Sequence, residues 1–127
     1  PPGGKLNMNE GESPFECAIR EAKEETGMIL CESDLHLFGY VSEKCYENSG
    51  HWLMFLFDCK KEIQKLPASF DEGFFEFFDE KSIKDLDIPE SDHDLVWPYY
   101  FKRGERFWGL RAEWIDGKAK IKIEAKA

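Results

Sequence analysis

No apolar stretch in this 127-residue chain approaches the ~20 residues that a bilayer-crossing helix needs, so no transmembrane helix is expected. No charged-then-apolar leader opens the sequence, and the cytoplasm is the expected location. The chain starts at Pro1-Pro2-Gly3-Gly4 without a Met, which reads as a fragment or a processed form. Cys17, Cys31, Cys45 and Cys59 form no Cys-x-x-Cys pair, which argues against a zinc site and leaves reduced thiols as the simpler expectation. Basic side chains are the minority, 17 against 26 acidic, for a net charge of −9. A general nucleic-acid binder holds phosphate backbones with Lys and Arg, so this balance argues against one. There is no internal repeat, low-complexity segment or linker.

What is present fits one packed domain. Hydrophobic residues make up 42% and aromatics 15%, well above a disordered composition. Charge is unevenly placed: residues 102–127 carry eight basic and four acidic side chains, a net of +4, which leaves −13 for the remainder. If that acidic remainder binds a phosphate substrate, a cation must stand between the two.

Residues 1–12 read as a Gly-rich loop. Ser13 to Thr26 reads as a helix, with Ser13 as N-cap, Pro14 first, Glu16 completing a capping box and Gly27 as the stop. Leu35–Tyr46 reads as a strand, Glu47-Asn48-Ser49-Gly50 as a turn, and His51–Asp58 as a strand buried on both faces. Phe74–Phe78 reads as a further short strand and Lys81–Leu86 as a helical turn. Asp92–Lys102 reads as a helix in which Pro98 forces a kink or an end. Arg106–Ile115 and Lys118–Ala125 read as strands joined by an Asp116-Gly117 hairpin turn, the second with one wet face. The order implies a mixed α/β (α+β) domain with mostly antiparallel connections.

The chemistry concentrates on the first helix. At about 100° per residue, Phe15, Ala18, Ile19, Ala22 and Thr26 share one side. Glu21, Glu24 and Glu25 fall within an arc of about 100° beside that stripe. Carboxylates at this spacing repel, and only Arg20 stands at the edge of the arc. A solvated acidic face would look the same, but so would a platform of hard oxygen ligands for Mg²⁺ or Mn²⁺.

The surrounding residues resemble the Nudix box of the MutT-like hydrolases, G-x5-E-x7-R-E-U-x-E-E-x-G-U with U aliphatic. Here Gly4, Glu12 and then Arg20-Glu21-Ala22-Lys23-Glu24-Glu25-Thr26-Gly27-Met28 carry the likeness. The second half matches at every fixed position. The first half departs: seven residues rather than five separate Gly4 from Glu12, read as a two-residue insertion at Asn7-Met8-Asn9. The resemblance implies a Nudix fold, a mixed sheet with a loop-helix-loop and a C-terminal helix. It implies Mg²⁺ (or Mn²⁺) held by Glu24 and Glu25, with Glu21 a ligand or the base that activates water, and the Gly4 carbonyl in the shell. Arg20 and Glu12 would orient these carboxylates, or be an ordinary surface bridge. Lys5 could touch a phosphate or face solvent. Glu72 is the candidate for a distal catalytic carboxylate, with Asp71 and Glu76 as rivals.

The stretch from Ile88 to Gly117 resembles, more weakly, the end of MutT-like enzymes that remove oxidised purine nucleoside triphosphates. That likeness makes Asp92 a candidate for hydrogen-bonding a purine edge, against the plainer reading of a helix N-cap. Trp97, Phe101, Phe107 and Trp108 could stack on a base but read first as core. His36 and His51 read as packed, hydrogen-bonded histidines. The implied activity is hydrolysis of a nucleoside triphosphate to a nucleoside monophosphate and pyrophosphate. The alternatives are the same chemistry on ADP-ribose or another nucleotide sugar or dinucleotide, and a non-catalytic nucleotide-binding module. Enzymes of this type place one or two strands before the Gly-Gly turn, so about 20–40 further N-terminal residues are expected in the natural protein.

Overall fold

The computed structural model describes residues 3–46, 50–68 and 75–127. The helix expected after the loop forms as α1, Pro14–Thr26. The Ser13 hydroxyl accepts the Glu16 N–H at 3.2 Å, and the Glu16 carboxylate accepts the Ser13 N–H at 3.1 Å. This reciprocal cap satisfies two N–H groups that the helix start would otherwise leave unpaired. Gly27 ends α1 in the left-handed region and donates its N–H to the Lys23 carbonyl. Among the residues of α1 only Cys17 is buried, while the expected apolar side is half-buried.

The chain divides into two compact units, Pro1–His36 with Cys59–Phe78, and Leu37–Asp58 with Asp79–Ala127. In the first, α1 follows the glycine-rich loop. Farther along, Asp34 accepts the Cys31 N–H, and its carbonyl accepts the Lys60 N–H at 2.7 Å.

The second unit carries the sheet. Its strands are β1 (Leu35–Lys44), β2 (Trp52–Cys59), β3 (Trp108–Ile115) and β4 (Lys118–Lys126), in the order β2-β1-β3-β4. β1 pairs with β3 in parallel and β3 with β4 antiparallel, which makes the sheet mixed. Asp116 and Gly117 both take positive φ, 52° and 76°, as the expected two-residue hairpin requires. On β3 the residues alternate, with Leu110, Ala112 and Trp114 buried and Arg111, Glu113 and Ile115 exposed. Phe38, Val41, Leu56, Leu95, Val96, Leu110, Ala112 and Trp114 form the core.

Two expectations need correction. β2 is not buried on both faces: it lies at the sheet edge, only Leu56 is buried, and Leu53 is 60% exposed. Its apolar run belongs to the end strand of the described sheet. Residues 75–78 form no strand, and Phe74 lies outside the described residues. Aromatic strand preference depends on packing against a neighbouring strand, and Phe77 and Phe78 instead stand 58% and 45% exposed.

The helical segment before β3 also departs from a plain helix. It begins at Glu90, and Asp92–Val96 form a π-helical turn in which the Trp97 N–H reaches back five residues to the Asp92 carbonyl. α2 then runs Trp97–Phe101. Pro98 has no N–H to give and its ring crowds the carbonyl four residues back. The widened turn relieves that crowding without ending the helix. Leu95 and Val96 reach the core from this turn.

Candidate active site

Arg20 is the hub of the first unit. Its guanidinium donates to Glu12 twice, from Nε at 2.7 Å and from Nη2 at 2.9 Å. Nη1 donates to Glu21 at 2.7 Å and to Glu24 at 3.2 Å, and Nη2 also reaches the Lys5 carbonyl at 2.9 Å. One cation therefore gathers three carboxylates and a loop carbonyl. The paired, two-pronged geometry is one that Arg can make and Lys cannot. The hydrogen bonds from Arg20 and from the Asn7 N–H hold the Glu12 carboxyl down at about 2. The Arg20 guanidinium is in turn pushed further above its ordinary value, chiefly by its bonds to Glu12 and Glu21.

The two-residue insertion turns out to be compact. Met8–Glu10 form a single 3₁₀ turn that closes on Gly11 at φ 68°. Asn7 anchors both sides: its carbonyl accepts the Glu10 and Glu12 N–H groups, and its own N–H donates to the Glu12 carboxylate at 2.9 Å. The extra length is taken up in the turn, so Glu12 still meets Arg20.

The glycine-rich loop lies against α1. A β-carbon on Gly4 would collide with the Glu21 carboxyl, so a side chain there would push that carboxyl out of its present position. The Gly3 N–H donates to Glu25 at 3.0 Å, and the Cys17 thiol lies 3.9 Å from the Gly4 carbonyl. Burial, with the Glu12 carboxylate beside it, pushes the Cys17 thiol up, away from the reactive thiolate form. Glu21 is largely covered, with 15% side-chain exposure, while Glu24 is open at 58%. Lys5 is exposed.

A four-stranded mixed sheet, together with this loop-helix arrangement, narrows the family. The model of the NUDIX domain matches residues 1–96. The chain belongs to the Nudix hydrolase family. An uncharacterized Nudix hydrolase, YvcI of Bacillus subtilis (strain 168), is 29% identical over 96 residues, covering 75% of this chain. The matched stretch is 60% of that relative's length, so the chain spans less than two thirds of it. A crystal structure of a mutator MutT protein from Bacillus halodurans superposes with a TM-score of 0.74 at 22% identity, over 97% of this chain and 80% of that one. That likeness shows the Nudix fold. Nudix proteins typically depend on a divalent metal and take nucleotide-type substrates.

The donors in this Nudix box are of the kind a hard divalent cation takes: Glu21, Glu24, Glu25 and the carbonyl of Gly4. The close Gly4–Glu21 approach brings loop and helix donors to one place. No three acidic, His or Cys side chains are already gathered as a metal cage among the described residues. Glu21 and Glu24 are turned to Arg20, and Glu25 to the Gly3 N–H. Holding a cation therefore requires these side chains to swing from their present partners.

The remaining candidates separate. Glu72 and its rival Asp71 lie outside the described residues, and Glu76 is exposed. Asp92 is not an N-cap: it stands inside the first helical turn and donates its own N–H to the Pro89 carbonyl at 2.9 Å. Trp108 is buried in contact with Tyr99, Trp97 lies along Phe101, and Phe107 tilts against Tyr40, so these four aromatics pack on protein. His51 accepts the Cys45 N–H but stands exposed, so it is hydrogen-bonded without being packed as expected. His36 does not fit that expectation, because its buried Nε2 has no partner among the described residues.

Sequence reasoning missed Glu43. It is 4% exposed, and its Oε1 accepts the Trp114 indole N–H at 3.2 Å. Burial raises its pKa, as does the charge of Asp92. Burial raises Asp92 as well. The signal was present: Glu43 lies in phase with Val41 on β1, an acid on the inward register of a strand.

Proposed function

We propose that this Nudix protein hydrolyses the pyrophosphate linkage of a nucleoside triphosphate, giving a nucleoside monophosphate and pyrophosphate, and that an oxidised purine is within its substrate class. The observation that supports it is the Arg20-centred cluster, in which Glu12, Glu21 and Glu24 converge on one guanidinium and Glu21 lies against Gly4. A solvated acidic face would need neither the bidentate Glu12 anchor nor the Gly4 contact.

Glu21, Glu24, Glu25 and the Gly4 carbonyl would hold Mg²⁺, or Mn²⁺ in its place. The metal would supply charge neutralisation at the phosphates and a more acidic water. Glu21, hydrogen-bonded to Arg20 and largely covered, would act either as one of these ligands or as the base that takes the proton from the attacking water. Glu12 keeps Arg20 aligned and stays ionised throughout the neutral range. Lys5 offers its ammonium to a phosphate, and Glu72 remains the sequence candidate for a second acid. Displacement at phosphorus depends mainly on positioning and charge stabilisation, which this arrangement supplies.

The test is product analysis. Full-length protein is incubated with Mg²⁺ and a panel of nucleoside triphosphates, their oxidised purine forms and ADP-ribose. Pyrophosphate plus monophosphate is expected. Turnover of ADP-ribose alone would move the assignment to nucleotide sugars, and no turnover on any compound would leave a binding module. Glu24→Gln should lower kcat at least ~100-fold with the fold intact, the scale of losing a group that acts in the transition state.

A further inference from the structure

The last strand of the sheet is unlike the rest of this acidic chain. β4 ends the sheet, so one of its edges carries backbone N–H and C=O groups that no strand pairs among the described residues. Its ladder with β3 fixes which way its side chains point. Lys118, Lys120 and Lys122 stand opposite the exposed Ile115, Glu113 and Arg111, on the outer face. Ile121 and Ile123 stand opposite Ala112 and Leu110, on the core face. Ala112 and Leu110 are fully buried, yet Ile121 and Ile123 remain 37% and 47% exposed, so the apolar layer runs past its cover at β4. The three lysines are exposed, and none of them is in an ion pair among the described residues. The acids on the outer face are Glu113, opposite Lys120, and Glu124, which Arg111 and the Tyr40 hydroxyl already hold.

Three features therefore coincide on one strand: an open edge, a row of lysines, and a row of half-covered isoleucines on the opposite face. An extended peptide satisfies all three at once. Its backbone pairs with the edge, and its alternate side chains fall on the two faces. A polyanion such as polyphosphate or single-stranded nucleic acid uses the lysines alone and leaves the edge and the isoleucines as they are. A second copy of this chain does not fit either. In an antiparallel β4–β4 pair that keeps the faces, lysine comes directly opposite lysine, and like charges there destabilise the pair. Lysines on an edge strand keep a sheet from pairing with itself in this way, and the same row favours a strand of opposite charge. We infer that β4 docks, by strand addition, an extended segment of a partner protein in which acidic and aliphatic residues alternate. The acids of that segment lie beside Lys118, Lys120 and Lys122, and its aliphatic side chains extend the row of Ile121 and Ile123 and shield it from water. This docking does not depend on the reaction that the Nudix box performs.

The test adds to full-length protein a synthetic peptide of alternating Glu and Val, blocked at both ends and as long as β4 itself, nine residues. NMR chemical shifts and amide hydrogen exchange are followed during the titration. Exchange should slow at every second amide of β4, the ones that point to the open edge, with the shifts centred on β4 and its turn to β3. Binding should weaken as salt is raised, because the lysines are exposed. A peptide of alternating Lys and Val should not bind. Lys120→Glu combined with Lys122→Glu should weaken binding of the Glu/Val peptide at least ~10-fold, the scale of turning two cross-strand attractions into repulsions. Ile123→Thr, which keeps a strand-forming residue, should weaken it as well. Should the lysine variant fail to fold, the contrast between the two peptides on the unaltered protein still decides. No binding of the Glu/Val peptide, or undiminished binding to the Lys120→Glu, Lys122→Glu protein, would overturn the inference. Peptide binding that slows no amide of β4 would make the lysines a plain anion patch and overturn it too. So would edge amides that exchange slowly before any peptide is added, since another segment of the chain would then hold the edge.

Discussion

Replacing Glu43 with Gln should stabilise this protein at neutral pH. Gln keeps the shape and the oxygen that accepts from Trp114 and removes the charge. The folded state raises the pKa of Glu43 above its ordinary value of 4.5. Below that value Glu43 is protonated in both folded and unfolded chains and costs nothing electrostatically. As pH climbs, the unfolded chain ionises first, and folding must then either retain the proton or bury a charge. The penalty grows through the window between the ordinary and the raised value, and is complete above it. Each pKa unit of elevation amounts to about 1.4 kcal/mol, which in a domain of this size moves Tm by roughly 3–6 °C. Thermal or urea unfolding of wild type and Glu43→Gln from pH 4 to pH 8 reads the difference directly. The two curves should converge at the acid end, with the variant gaining on the wild type as pH rises. A variant less stable at pH 7, or a difference that is flat with pH, would refute the reasoning.

Three further outcomes follow from the Nudix box. Arg20→Lys keeps the charge but loses the two-pronged hold on Glu12, and kcat should fall at least ~10-fold with little change in KM; steady-state kinetics that match wild type would make Arg20 an ordinary surface pair. Gly4→Ala places a methyl group against the Glu21 carboxyl, so activity should drop while the melting temperature shifts little, because the loop is exposed; calorimetry beside an activity assay separates the two. Glu12, held at about 2 against an ordinary 4.5, contributes stability that is full above the ordinary value and is lost as pH falls toward 2. An NMR titration midpoint for its side chain near 4.5 would remove the Arg20–Glu12 pair from the account.

Local chemistry was the most legible part of this chain. The Ser13–Glu16 capping box, Pro14 and Gly27 set the limits of α1 from adjacent residues alone, and Asp116-Gly117 likewise set the hairpin. Long-range pairing was not legible. The parallel β1–β3 ladder joins residues some seventy positions apart, and nothing in the spacing of either strand announces its partner or direction. The same blindness read β2 as buried on both faces, because an apolar run does not record whether a neighbour will be there to cover it. At the site, the glutamates of α1 could be read from helical spacing, but the hub role of Arg20 required the Asn7–Glu12 loop to be folded first. Glu43 escaped notice because an acid on a strand reads as solvent-facing until register places it inward.

The turn at Met8–Glu10 has a consequence for how this loop can vary. Since Asn7 and Gly11 close the turn at its two ends, residues can be added or removed between them without moving the glutamate that grips the arginine. Loop length and the Glu12–Arg20 alignment are thereby uncoupled. Met8, which projects into solvent at the tip, is then a position where new side chains could be introduced while α1 and its acids stay where they are.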